Sequence, residues 1–99
     1  MIGMARLSLQ SVVVRSRHVF SQEIDEDVVI LHVNRGEYFG ADIVGKYVWR
    51  FIENPTQVSR VCDQILEAFQ NVDRATCVQD VLEFLEELRE AQLIDIVGE

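Results

Sequence analysis

Along the chain, apolar positions first alternate with polar ones and then switch to helical spacing. His18–Ile24 (HVFSQEI) and the β-branched run Val28–Val33 read as strands, since both are too short for a helix and rich in residues that suit a pleated surface. The acidic run Asp25-Glu26-Asp27 separates them as a turn. Asn34-Arg35-Gly36 predicts a hairpin turn with Gly36 at positive φ, and Glu37–Ala41 is the returning strand. Gly40, inside that third strand, predicts a bulge or a close backbone approach.

From Asp42, an expected N-cap, the period lengthens. Ile43, Val44, Tyr47, Val48, Phe51 and Ile52 recur at helical spacing, Trp49 widens the stripe, and Asn54-Pro55 ends the helix. Thr56 is the expected cap of a second helix over 57–70, with Val58, Val61, Cys62, Ile65 and Phe69 on one stripe. Asp73 is the expected cap of a third, running to Gln92. Leu93–Val97 returns to strand-like composition or packs as an apolar tail. The order β-β-β-α-α-α predicts one α+β domain over residues 18–99. Its small antiparallel three-stranded sheet is followed by three helices, as in a winged helix-turn-helix. Residues 1–17 form a lead-in, either loose or adding a strand through Val12–Val14. With three Arg, three Ser and no acid, this segment also has the composition of a transit peptide.

The third helix carries more apolar surface than one core contact needs. On a wheel of 100° per residue, Val78, Leu82 and Leu85 cluster on one side. Cys77, Val81, Phe84, Leu88 and Ala91 cluster on the other. The apolar arc is about 180° wide, against ~100° for an ordinary surface helix. Either the helix is buried on two sides or part of the arc lines a groove. The strand Val28–Val33 poses the same question, being apolar on both faces. An open sheet edge beside an overwide helix suits addition of an extended peptide as a new strand. Alternatively, the lead-in covers that edge.

Charge narrows the function classes. The 99 residues carry a formal net charge of −8, with six basic and six acidic side chains in residues 1–50 but three basic and eleven acidic in 51–99. The third helix has two basic residues, Arg74 and Arg89, against Asp80, Glu83, Glu86, Glu87 and Glu90. Phosphates would repel such a recognition helix, so nucleic acid is not an expected partner. No apolar run approaches the ~18 residues of a membrane span, so no membrane partner is expected either. Phosphate-cradling, dinucleotide and zinc-protease motifs are absent. Cys62 and Cys77 lie on apolar helix stripes, where nothing would activate a thiol, and their spacing suits neither a zinc site nor a disulfide framework. No catalytic residue, metal or cofactor is indicated, and a reducing cytoplasm fits the two free thiols.

The string Val29-Ile-Leu-His-Val-Asn-Arg-Gly-Glu-Tyr-Phe-Gly40 resembles the coenzyme PQQ synthesis protein D family. So do its continuation through Gly45, Val48-Trp49 and Pro55-Thr56, and the late stretch Asp80–Leu88. The likeness spans residues 18–94. The hairpin NRGEYFG is most similar to the stand-alone leader-binding proteins of lasso-peptide pathways. This resemblance implies a non-enzymatic bacterial cytoplasmic protein that binds the leader of a ribosomally made precursor peptide. The leader would add as a strand between the third strand, Glu37–Asp42, and the third helix, Asp73–Ala91. It would then be presented to a separate modifying enzyme, such as a leader peptidase. The implied contacts are Tyr38, Phe39, Gly40, Ala41 and Asp42 on the strand, and Cys77, Val81, Phe84 and Leu88 on the helix. Gln92 departs from the pattern, since Gly is expected where that helix ends. A generic winged-helix protein–protein adaptor is the alternative reading, with a DNA-binding regulator behind it.

Overall fold

A computed structural model describes residues 6–98. In chain order the elements are β1 (Val12–Arg15), β2 (Val19–Ile24), β3 (Asp27–His32), β4 (Glu37–Ala41), α1 (Ile43–Phe51), β5 (Thr56–Gln57), α2 (Val58–Ala68), α3 (Arg74–Glu90) and β6 (Ile94–Ile96). The α+β order read from the chain is present, with a second sheet added to it. The meander β2-β3-β4 is one antiparallel sheet, and β5-β1-β6 is the other. Within the lead-in, β1 is the centre of that second sheet, where Val13 is fully buried. Residues 1–5 of the lead-in lie outside the described residues.

The meander closes through turns of different chemistry. Asp25 takes φ +55° in the short β2–β3 turn, and Gly36 takes φ +67° in the β3–β4 turn, where its N–H donates to His32 O at 2.8 Å. Lys46 reaches the first turn from α1. It is buried, and its Nζ donates to Asp25 O at 3.1 Å. The bulge or close approach expected at Gly40 is not there. Register runs without interruption from Val28↔Ala41 through Val29↔Gly40 to His32↔Glu37, and a Cβ built on Gly40 would meet no atom within 4 Å.

The helix caps show which local signals survive tertiary contact. Asp42 Oδ1 accepts from Gly45 N–H at 3.1 Å, and Asp73 Oδ2 from Thr76 N–H at 3.1 Å, so both caps form as expected. Thr56 does not cap the second helix. The chain is extended there to pair with β1, so Gln57 occupies the cap position and makes no side-chain cap bond. The Thr56 hydroxyl instead donates to Phe51 O and Asn54 O, both at 2.8 Å, serving the end of α1. At the end of α3, Gln92 adopts φ +61°. Its N–H donates to Arg89 O at 3.0 Å, and Leu93 N–H donates to Leu88 O at 2.9 Å. This is the paired 5→2 and 6→1 closure that normally selects glycine, here completed by buried Leu88 against buried Leu93. The helix therefore ends at the position where glycine is expected, and Gln92 bears the conformational cost. Gln92→Gly is expected to raise stability by about 1 kcal/mol, read as a higher urea midpoint at unchanged slope. A lower midpoint would mean that the Gln92 side chain contributes more than the turn costs.

The two sheets and α1 meet at Trp49, which is 1% exposed. Its indole N–H donates to Ser21 Oγ on β2 at 2.9 Å. Arg15, from β1, lies over the ring at 4.6 Å and donates through Nε to Trp49 O at 2.9 Å. Arg50 also ties α1 to β2 by forking onto the Glu23 carboxylate, a charge-assisted hydrogen bond that holds this carboxyl below its usual range.

Candidate functional site

Two structural facts define the site. Among the described residues, β4 is an edge strand, paired on one side with β3. Beside it runs α3, which touches the strand through the rings of Phe39 and Phe84, 6.1 Å apart. Along this strand and helix runs a seam with two depressions. One, of about 230 Å³, lies past the Asp42 end of β4 between α1 and α3, lined by Val44, Gly45, Val48, Val81 and Phe84 together with Asp42 and Asp80. The other, of about 330 Å³, lies at the start of β4 between Tyr38, Phe39, Ala91 and Leu93, and is bounded by His32 and Glu37. A third well of about 240 Å³ opens beyond Val44 and Val81, between Ile65, Phe69 and Cys77.

Strand alternation decides what β4 offers the seam. Phe39 and Ala41 share the face of buried Val28 and Ile30, with which they pair, so both point toward the helices. Tyr38 and Gly40 point the other way. Tyr38 is 73% exposed and stands in a cross-strand row with Leu31 and Phe20 on the outer face of the sheet. Asp42 sits at the end of the seam, but its carboxylate is turned onto its own helix as the α1 cap.

On α3, burial divides the implied contacts. Phe84 is half-buried and faces the seam. Val81, 2% exposed, forms the floor shared by the first and third wells. Cys77, 3% exposed, lines only the third well, and Leu88 is completely buried beneath the seam. The wide apolar arc is thus used in three parts. Its centre, Cys77, Val81, Leu85 and Leu88, is core. One margin, Phe84 and Ala91, borders β4. The opposite margin, Leu82, borders Leu7 and Arg6 from the N-terminal segment.

Gly45 belongs to the string that carries the family resemblance but not to the implied contacts, although a glycine inside a helix costs stability and usually signals close packing. A Cβ there would lie 2.6 Å from Ala41 Cβ and 3.0 Å from the Phe84 ring. Its absence lets α1 approach the end of β4 and leaves the first depression open. Val44 and Asp80 also line that depression, and no signal in the chain separates them from ordinary helix-surface residues.

The chemistry available here is main-chain pairing plus apolar pockets. Burial pushes the Cys62 thiol up to about 11 and raises the Cys77 thiol as well, so neither is a poised nucleophile. Among the described residues no His, Cys, Asp or Glu cluster could hold a metal ion, and no helix is long and apolar enough to cross a membrane.

Comparison with known proteins gives a consistent picture. A solved structure described as TbiB1 in complex with the TbiA(β) leader peptide superposes with a TM-score of 0.75 at 35% identity, covering 87% of this chain and 96% of the other. Among curated proteins no significant match is found. The profile of coenzyme PQQ synthesis protein D matches residues 27–94, a span that begins with β3 and includes β4, all three helices and the start of β6. With an edge strand, a seam against the third helix and this match across most of its length, the chain belongs to the coenzyme PQQ synthesis protein D (PqqD) family.

Proposed function

We propose that this chain binds the leader segment of a ribosomally made precursor peptide by strand addition. The leader lies along β4, against the Phe84 margin of α3, and the chain presents it to separate modifying enzymes. The observation that carries this reading is the unpaired edge of β4 beside an apolar seam. The leader's main chain pairs with the edge of Glu37–Asp42, and side chains on its inner face enter the depressions beside Phe84 and Ala91. Val81 forms the floor, while Cys77 and Leu88 act from beneath. The protein performs no chemistry of its own and works in the bacterial cytoplasm, where its thiols stay reduced. Leader binding is supported by the 35% identity to TbiB1, whose structure contains a leader peptide, and the lasso-peptide class by the resemblance of the hairpin NRGEYFG. Filling the seam leaves the outer sheet face, with Phe20, Leu31 and Tyr38, uncovered.

Hydrogen exchange with and without the TbiA(β) leader peptide tests strand addition. Amides of Glu37–Asp42 are expected to become protected on binding, because new ladder bonds form along that edge. Binding with unchanged exchange across this segment would rule the mode out.

A further inference from the structure

A concavity of about 500 Å³ lies just past the hairpin end of the seam, between β3, β6, the end of α3 and the residues that precede β2. It joins the seam through His32, which lines both. We propose that this basin is a second subsite for the same peptide and takes the carboxylate of an acidic residue just outside the segment paired with β4; this rests on the leader-binding reading.

Two observations carry the assignment. First, β4 has five residues, so at ~3.4 Å per residue it pairs only a short stretch, and a longer peptide must leave the seam at one end or the other. At the Glu37 end, His32 lines both the second depression of the seam and the basin. Second, the lining is rich in donors in a chain that is otherwise acidic. His18 and His32, the only histidines, stack there with ring centroids 6.3 Å apart. His32 Nδ1 accepts from Arg35 N–H at 3.3 Å, which leaves Nε2 as the donor of that ring. Arg89 and Gln92 add further donors, and Arg89 also pairs with Glu86 at 3.5 Å. Among the described residues, Asp95 is the one carboxylate in the lining. Glu37, next door, is engaged by Arg35 at 2.7 Å.

His18 lines the basin and not the seam, whereas His32 lines both, so the His18 imidazole NMR signal is the one that reports on the basin. Titration with the full TbiA(β) leader is expected to shift the His18 signal. A version trimmed to the segment that protects β4 should leave the His18 signal unmoved. In leader variants carrying Glu or Lys at each flanking position, one position is expected to favour Glu by about fivefold. His18→Glu, at an exposed position, should reverse that preference. Protection at β4 with the His18 imidazole signal unmoved, or with no Glu preference at any flanking position, would overturn the second subsite and leave the strand-addition reading intact. No protection at β4 would remove both.

Discussion

Phe84→Ala is expected to weaken leader binding at least tenfold while lowering stability by only about 1–2 kcal/mol, below the ~3–5 kcal/mol typical of a fully buried Phe. The ring is half-buried, borders the first depression and meets Phe39 at 6.1 Å, so its removal widens the seam more than it opens the core. Leu85→Ala, one residue further along α3, is expected to do the opposite. Leu85 has no exposed surface, and truncation should cost ~2–5 kcal/mol of folding with affinity unchanged in the fraction that remains folded. Leu82, which is only partly buried and borders Leu7, should fall between them. Paired urea melts and peptide titrations on the three variants decide the matter. Equal destabilisation by Phe84→Ala and Leu85→Ala would move Phe84 from the seam into the core.

Trp49→Ala should have the largest effect on folding, about 3–5 kcal/mol, a large share of the 5–15 kcal/mol typical of a small domain. Beyond its buried area, the indole carries the hydrogen bond to Ser21 and the stacked Arg15 guanidinium, and so connects α1 to both sheets. Trp49→Phe keeps most of the apolar contact and loses the donor. It should cost about 1–2 kcal/mol, with Ser21 left to find another partner. Circular dichroism melts separate the outcomes. A Trp49→Ala protein that melts like the parent would mean the two sheets are held together elsewhere.

Local structure was legible wherever one residue type had one job. Asp42 and Asp73 cap their helices, Gly36 turns the hairpin, and the meander strands fall where alternation places them. Local signals failed where a distant segment claimed the same backbone. Thr56 has the chemistry of a cap, yet pairing of its segment with β1, more than forty residues earlier, makes the chain extended there. Gly40 reads as a bulge in a strand, but the strand has a free edge and an open face, so nothing crowds it. Gln92 shows the reverse case. Leu88 and Leu93 bury themselves on either side of the turn, and their packing holds a non-glycine residue in the left-handed region.

The amino-acid sequence by itself determined the α+β order, the meander with its hairpin, the excess apolar width of the third helix, the acidic second half that disfavours nucleic acid, and the family. Each of these is set by composition, by spacing within one segment or by a contiguous string of residues. Only the tertiary structure decided how that width is used. A helical wheel gives the angular extent of apolar surface but not the direction from which the core approaches. Packing against α2 and β6 assigned the centre of the arc to the core, one margin to the N-terminal segment and the Phe84–Ala91 margin to the seam. It also turned Tyr38 outward and Phe39 inward, because the pleat follows the side on which Val28 and Ile30 are buried. Finally, the pairing of β1 with β5 and β6, residues far apart in the chain, built the second sheet and with it the basin at His18 and His32.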